Sequence, residues 1–194
     1  MELIKLVIGR LQNNCYILNG DGRDAVIVDP SGQYPLIAET LDKRGLSPAH
    51  VMLTHGHFDH TGAARKLQAA GARIYLHPAD LDKINAWPGK SEPFAPDIYL
   101  EDGQILKLAG LEIEVIHTPG HTGGGVCFLV GGTLFSGDTL FRGDVGRTDL
   151  PSGDYGQLVK SIRERLFALP SDTRVLPGHE EETTVGEASK TLFL

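Results

Sequence analysis

The sequence predicts an α/β protein in which two mixed sheets pack face to face, with helices on their outer faces. Apolar strand-like runs and helical segments alternate twice along the chain. The strands are too numerous, and too often joined by tight turns, for a doubly wound parallel sheet. Because no linker or shift in composition divides the 194 residues, we expect residues 1–194 to form a single domain.

In the first half of the chain, apolar runs and helical segments follow one another closely. The predicted strands are ELIKLVI, NCYILNG, AVIVDP, VMLTH and ARIYLHP. PLIAETLDKRG has helical spacing and ends at Gly45, and TGAARKLQAAG is rich in helix-favouring residues and ends at Gly71. Residues 82–97 contain three prolines and Trp87, and they are predicted to be a surface excursion.

The second half begins with strands separated by glycine-containing turns. These predicted strands are IYL, QILKLAG, LEIEVIHTPG, GVCFLVGG and TLFSGDTLF. SGDYGQLVKSIRERLFALP is predicted to be an amphipathic helix with Asp154 near its start. TRVLPGH is predicted to be the last strand, and TTVGEASKT the last short helix.

Composition excludes several classes of protein. The formal charge of -7 argues against a broad nucleic-acid-binding surface, which needs clustered Lys and Arg. Glu2, Lys5 and Arg10 interrupt the N-terminal segment, so it lacks the apolar stretch of a signal peptide, and no apolar run reaches the roughly 18 residues of a membrane span. Cys15 and Cys127 lie in apolar runs and are predicted to be buried free thiols. We therefore expect a cytoplasmic protein that binds neither nucleic acid nor membrane, of undetermined oligomeric state.

Residues 54–62, THGHFDHTG, place three histidines and one aspartate within six positions. Buried imidazoles and carboxylates are costly without partners, so the segment is either a solvated loop or part of a metal site. His55 and His57 end a predicted strand and can point to the same side. Asp59 and His60 open a helix and face another direction, so the motif offers two separate pairs of ligands.

Three further ligand-type residues follow predicted strands: His121 in HTPGHTGG, Asp138 in FSGDTLF and His179 in LPGHEE. Strand ends are where loops converge to build sites, so these residues can complete two adjacent metal sites. Zinc accepts imidazole and carboxylate ligands at about 2.0–2.2 Å, and a carboxylate can bridge two ions about 3.5–4 Å apart. A single structural metal and an unrelated surface cluster remain as alternatives.

The segments THGHFDH, HTPGHT, SGDTLF and PGH, in this order, resemble the metallo-β-lactamase superfamily. FRGDVGRTDLPSGD is similar to a segment of its short bacterial glyoxalase II-like (hydroxyacylglutathione hydrolase) branch. The resemblance covers nearly the whole chain and implies an αββα sandwich, with two divalent metal ions at one edge. Zinc is favoured, with iron and manganese as alternatives. The resemblance implies that His55, His57 and His121 bind the first metal. It implies that Asp59, His60 and His179 bind the second, and that Asp138 binds both.

The resemblance also implies a substrate and a reaction. A glyoxalase II-like protein is expected to hydrolyse S-(2-hydroxyacyl)glutathione or a similar acyl-thioester by attack of a hydroxide held between the metals. Asp59 is expected to orient that hydroxide or to take its proton. Arg147, and secondarily Arg142, are candidate contacts for a substrate carboxylate, although either could instead pair with Asp144 or Asp149.

The chain departs from full glyoxalase II enzymes near its C-terminus. It ends fifteen residues after His179, without the helical extension that carries further glutathione contacts, and Glu180 stands where glycine is usual. The thiol carrier of the substrate is therefore left open. Two other functions are considered: a mononuclear iron persulfide dioxygenase acting on glutathione persulfide, and a non-catalytic metal-binding protein.

Three polar residues outside the ligand set have alternative interpretations. Asp29 in IVDP could accept the N–H of a ligand histidine or form a turn. His77 and His117 are interpreted as structural histidines, although substrate contact and support of the metal ligands are the respective alternatives.

Overall fold

The computed structural model describes residues 1–84, 86 and 93–192, and the first half of this part forms a six-stranded sheet. β1, β2 and β3 pair antiparallel, whereas β3, β4, β5 and β6 pair in parallel. The parallel strands all end at one edge of the sheet, where their following loops lie side by side. The strands β1 to β6 are Glu2–Ile8, Asn13–Asn19, Asp24–Val28, Ser47–Met52, Arg73–Leu76 and Ile98–Tyr99.

The second half forms another six-stranded sheet in the order β12-β11-β10-β9-β8-β7. Neighbouring strands are antiparallel except β10 and β11, which are parallel. The parallel pair therefore brings the residues after Gly137 and Pro177 to the same edge. The strands β7 to β12 are Ile105–Leu108, Leu111–His117, Val126–Val130, Thr133–Gly137, Arg174–Pro177 and Thr183–Thr184.

An apolar cluster fills the space between the two sheets. Tyr16 and Met52 of the first sheet meet Phe128 and Phe135 of the second, and the rings of Tyr16 and Phe135 are in edge-to-face contact with centroids 5.2 Å apart. Successive side chains of a strand point to opposite faces, so Cys15, next to Tyr16, faces the outer cluster instead. The sandwich of two sheets is thus held by one continuous core.

Helices cover the outer face of each sheet, which confirms the predicted αββα architecture. On the first sheet, α1 (Tyr34–Arg44) and α3 (Ala64–Ala69) bury Leu41 and Leu67 in the outer cluster. On the second, α4 (Tyr155–Ser161) and α5 (Val185–Thr191) do the same with a third cluster. The cysteines Cys15 and Cys127 are buried and free, as predicted.

Two predicted helices are present but differ in detail from the prediction. The helix expected to open at Asp59 and to continue through TGAARKLQAAG is divided into α2 (Phe58–Thr61) and α3, because the backbone N–H of Ala63 bonds the carbonyl of Pro30 (2.8 Å) instead of continuing the helix. The long helix after Asp154 ends in a π-helical segment, Ile162–Leu166.

Part of the predicted surface excursion, residues 85 and 87–92 with Trp87, lies outside the described residues. Among the helices of the described part, none is long and apolar enough to cross a membrane.

Candidate metal centre

The seven predicted ligands meet at the edge of the sandwich where strands of both sheets end. His55 and His57 follow β4, and His121 follows β8. Asp138 and His179 follow the parallel strands β10 and β11, while Asp59 and His60 lie in α2. Their ligand atoms fall into overlapping groups of three, each with all its atoms within 4.8 Å of one another.

The first group, called here the first triplet, consists of His55, His57 and His121. Nδ1 of His57 lies 3.0 Å from Nε2 of His121. The ring of His55 lies beside both, with centroids 4.7 and 4.8 Å away. All three imidazoles are buried, so they form a compact all-nitrogen ligand set.

The second triplet consists of Asp59, His60 and His179. Oδ2 of Asp59 lies 3.5 Å from Nε2 of His179 and 3.8 Å from Nε2 of His60. His60 is fully buried, whereas the other two side chains are 17% and 21% exposed. This second set therefore lies at the open side of the site and includes a carboxylate.

The carboxylate of Asp138 lies between the two triplets. Its Oδ1 is 3.3 Å from Nε2 of His60, and its Oδ2 is 3.6 Å from Nε2 of His179 and 3.7 Å from Nε2 of His121. One carboxylate thus reaches imidazoles of both sets, as a residue that bridges two metals must.

Hydrogen bonds on the far side of the rings fix how three histidines point. In each case Nδ1 lies against an oxygen that can only accept, so it must carry the hydrogen and leave the lone pair of Nε2 for the site. The pairs are His60 with Oδ2 of Asp29 (2.9 Å), His121 with the carbonyl of Arg147 (2.8 Å) and His179 with the carbonyl of Leu11 (3.0 Å).

Two buried atoms test whether a metal fits this site. Among the described residues, Nε2 of His55 and Oδ1 of Asp138 are buried without a hydrogen-bond partner. A buried acceptor without a donor costs roughly 1–3 kcal/mol. Imidazole nitrogen and carboxylate oxygen are ligands that a divalent transition metal accepts, so the residues present fit such an ion.

The electrostatics of the two triplets differ. Burial and then the neighbouring imidazoles lower the pKa of His55 well below its usual value and that of His57 to about 4. Burial also opposes a charge on His60, but Asp138 and Asp29 raise its pKa well above the usual value. In reverse, His60 lowers the pKa of Asp138 despite that residue's burial. The first triplet is therefore prepared as neutral imidazoles, whereas the carboxylates around His60 favour a positive charge there, either a proton on Nε2 in the metal-free protein or a bound cation in its place.

Asp29 is the buried acceptor behind these ligands, which confirms one of its two sequence interpretations. Its Oδ2 accepts from Nδ1 of His60 (2.9 Å) and from the hydroxyl of Thr54 (2.6 Å), and its Oδ1 accepts from the backbone N–H of Thr54 (2.8 Å). The oxygen of Thr54 in turn lies 3.1 Å from Nδ1 of His55. Asp29 therefore holds His60 directly and His55 through one hydroxyl.

Asp80 also supports the site, and sequence analysis missed it. Its fully buried carboxylate accepts from the backbone N–H groups of Gly56 (2.8 Å) and Gly124 (2.7 Å) and from the hydroxyl of Thr122 (2.8 Å). These bonds join the loop of His55 and His57 to the loop of His121. The signal available was a carboxylate after a strand and a proline, YLHPAD, which is too common to identify such a role.

The structure brings one of the two candidate arginines to the site. Arg147 lines a cleft of about 540 Å³ beside His121, Asp138 and His179. Its guanidinium is exposed and bonds both carboxylate oxygens of Asp149, at 2.7 and 2.8 Å.

Arg142 instead pairs with Glu181 and lines a separate cavity with Thr183 and Lys190. The predicted substrate contact of Arg142 stays a prediction, and this position does not support it.

The remaining histidines have partners outside the ligand set. The rings of His77 and His117 stack with centroids 4.2 Å apart, and Nε2 of His117 lies 3.0 Å from the carbonyl of Gly123. These contacts agree with structural roles.

Glu180 adopts a left-handed backbone (φ 65°), a conformation that glycine adopts without steric cost, and its carbonyl accepts from Nδ2 of Asn14 (3.0 Å).

The chain is similar to known proteins over nearly its whole length. The sequence profile of the metallo-beta-lactamase superfamily matches residues 8–179. Hydroxyacylglutathione hydrolase GloC of Haemophilus influenzae is 34% identical over 204 residues, which cover 98% of this chain and 96% of that protein. The profile match includes every predicted ligand and ends at His179.

Two solved structures are similar over nearly the whole chain. TTHA1623, in a di-iron-bound form, is 39% identical with a TM-score of 0.82, and the match covers 97% of this chain and 98% of that one. ETHE1 from Myxococcus xanthus is 27% identical with a TM-score of 0.86, and covers 98% and 83% respectively.

Proposed function

This chain belongs to the metallo-β-lactamase superfamily, and from that membership and its two ligand sets we propose that it is a dinuclear metal-dependent hydrolase of acyl-thioesters. The superfamily and the similarity to GloC support a metal-dependent hydrolase in general. The substrate class that we propose is S-(2-hydroxyacyl)glutathione or a thioester of a related thiol.

The observation that carries the proposal is the position of Asp138. Its two oxygens lie 3.3–3.7 Å from imidazole nitrogens of both triplets. Two neighbouring ligand sets that share a carboxylate suit a pair of ions about 3.5–4 Å apart. A structural zinc site would use one closed set of four ligands and would leave the other residues unused.

The chain's own residues would then bind and orient the reactants. Divalent ions held by these residues would supply a bound water of lowered pKa and would polarise the scissile carbonyl. Asp59 is 17% exposed and lines a cavity of about 320 Å³ together with Arg147, and its proposed role is to orient that water or to accept its proton. The Nδ1 hydrogen bonds of His60, His121 and His179 keep the rings fixed during this step. The leaving thiolate is a weak base, so no strong protein acid is required.

The cleft has features that suit a thioester with an acidic carrier. Leu11 and Phe141 supply apolar walls in the 540 Å³ cleft, and Leu150 does so in an adjoining cavity of about 320 Å³. Arg147 lines both cavities and can offer a planar guanidinium to a carboxylate. The name of GloC, a hydroxyacylglutathione hydrolase, supports glutathione as the carrier.

The metals that we propose are zinc or iron, with manganese as an alternative. Imidazole and carboxylate ligands bind all of these ions, so availability helps to decide among them. The di-iron form of TTHA1623 supports iron. The name of BaeB from Bacillus velezensis, a probable zinc-dependent hydrolase that is 32% identical to this chain over 183 residues, supports zinc.

A second candidate function is a mononuclear iron persulfide dioxygenase. The similarity to ETHE1 favours it. Two imidazoles and one carboxylate leave open positions on iron for oxygen chemistry. One iron per chain and oxygen uptake with glutathione persulfide would support this function, whereas two bound metals and no uptake would exclude it.

The deciding experiment measures loss of the thioester of S-lactoylglutathione, on protein whose metal content is quantified in the same sample. We expect turnover that disappears with a chelator and with His121→Ala. His50→Ala is the matched control, because Nδ1 of His50 bonds the hydroxyl of Tyr75 (3.0 Å) away from the ligands. Protein that carries two metals but cleaves no acyl-thioester would contradict the proposal.

A further inference from the structure

Asn13, the first residue of β2, places its side-chain amide against all three members of the second triplet. Its Nδ2 lies 3.2 Å from Oδ2 of Asp59, 3.4 Å from Nε2 of His60 and 3.2 Å from Nε2 of His179. The residue is 2% exposed. A buried amide in contact with three candidate metal ligands is unlike a residue that only fills space, and it indicates a role at the metal site.

These distances place the amide beside the expected position of the ion. Every point that is equally far from three atoms lies on one line, which is perpendicular to the plane of the three atoms and passes through the centre of the circle that joins them. Nδ2 is nearly equidistant from the three ligand atoms, and a bound ion would be about 2.0–2.2 Å from each. The amide would therefore lie next to an ion held by these three ligands.

The observed orientation of the amide suits a site without a metal. An NH2 group donates, and the carboxylate of Asp59 accepts its hydrogen bond. Metal binding requires the lone pairs of all three ligands, and the N–H groups would then face a cation. The oxygen and nitrogen ends of an amide have nearly the same shape, so a half-turn of the terminal torsion puts Oδ1 in place of Nδ2.

We propose that Asn13 turns its amide and would supply Oδ1 as a neutral oxygen ligand to the second metal. The inference rests on the proposed two-metal site but not on its substrate. The second position would then have oxygens of Asp59, Asp138 and Asn13 beside the nitrogens of His60 and His179, whereas the first would have three nitrogens and one oxygen of Asp138. More ligands and more oxygen favour iron or manganese over four-coordinate zinc, so Asn13 biases the metal choice of the second position.

The backbone around Asn13 is held firmly enough for this role. The next residue, Asn14, donates its backbone N–H to the carbonyl of Gly178 (2.7 Å). The side-chain Nδ2 of Asn14 donates to the carbonyls of Pro177 (2.9 Å) and Glu180 (3.0 Å). These contacts fasten the start of β2 to the segment that carries His179. Ligand loop and amide therefore keep their relative position while the terminal torsion of Asn13 turns.

The test is a titration of metal-free protein with Co²⁺, which reports affinity and coordination number together. In Asn13→Ala we expect the second ion to bind about tenfold more weakly or worse, the size of effect that supporting residues around metals produce. The visible absorption of the second Co²⁺ in this variant should be more intense than in the wild type, because Co²⁺ with fewer ligands absorbs more strongly. Affinity for the first ion should stay unchanged, which is the internal control for folding.

Two further variants separate the oxygen from the volume of the side chain. Asn13→Asp keeps an oxygen and should bind the second ion at least as tightly as the wild type, whereas Asn13→Leu fills the space without one and should behave like Asn13→Ala. Unchanged or tighter binding of the second ion by Asn13→Ala would overturn the inference. Saturation of the wild type at one ion would overturn it together with the two-metal site, whereas failure to cleave thioesters at two ions per chain would overturn only the proposed activity.

Discussion

The two triplets of the candidate metal centre are held in different ways. In the first, the loops themselves are fixed, because Asp80 accepts from the backbone N–H groups of Gly56 and Gly124 and so joins the two loops that carry the imidazoles. In the second, a ligand is fixed directly, because the carboxylate of Asp29 accepts from Nδ1 of His60. One triplet depends on loop shape, and the other depends on charge close to the ligand.

Because of this difference, we expect the support of the first triplet to affect mainly folding stability, and the support of the second to affect mainly metal affinity. A carboxylate that holds backbone groups contributes mainly to the folded state, since its loss strands buried donors. A carboxylate behind a ligand changes the basicity and orientation of that ligand. Asp138 and Asp29 raise the pKa of His60 although burial opposes it, so this half of the site favours positive charge. We therefore expect matched substitutions in the two halves to have different consequences.

The largest effect on stability is expected for Asp80→Ala. It strands the backbone N–H groups of Gly56 and Gly124, at roughly 1–3 kcal/mol each, and removes a bond from Thr122. A loss of about 3 kcal/mol would lower the melting temperature by roughly 6–12 °C in a domain of this size. Thermal unfolding of the metal-free protein measures it. Asp172→Ala, which changes an exposed aspartate outside these loops, is the control; equal melting temperatures for the two variants would contradict the role of Asp80.

The next largest effect is expected for Asp29→Asn, on metal affinity. The change keeps the shape but removes the charge behind His60, so the second metal should bind ten- to hundredfold more weakly. The first metal should weaken less, because His55 reaches Asp29 only through Thr54. Competition with a calibrated chelator measures both affinities, with the exposed Asp24→Asn as the control. Equal weakening of the two metals would remove the distinction between the triplets.

The sequence predicts the ligands of both triplets better than it predicts their supports. His55, His57 and Asp59 stand in one motif at spacings that strand and helix geometry explain, and the order of the later motifs indicates the rest. Asp80 and Asn13 carry no such signal, because each contacts residues that are far away in the sequence. Asp80 and Gly124 are 44 residues apart along the chain, and Asn13 and His179 are 166 apart. The break between α2 and α3 has the same cause, a backbone bond to the distant Pro30.

The layers of the fold were predictable for a different reason. Alternation along each strand records which face is buried, and this information is local. Which loops touch at the sheet edge is not local, since it follows from the register of strands such as β10 and β11. The supports of a site are therefore the part that sequence patterns specify least.

The smallest effect is expected for Arg147, whose backbone and side chain serve different purposes. Its carbonyl accepts from Nδ1 of His121 and would remain in Arg147→Ala, so metal content and melting temperature should not change. Its exposed guanidinium pairs with Asp149, and that pair lowers the pKa of Asp149 to about 2. If the guanidinium also meets the substrate carboxylate, Arg147→Ala should raise KM for an anionic thioester severalfold with little change in kcat. Asp149→Ala should lower KM, because it frees the same guanidinium. A fall in metal content in Arg147→Ala would instead mean that the side chain supports the first triplet, which would then depend on more than the shape of its loops.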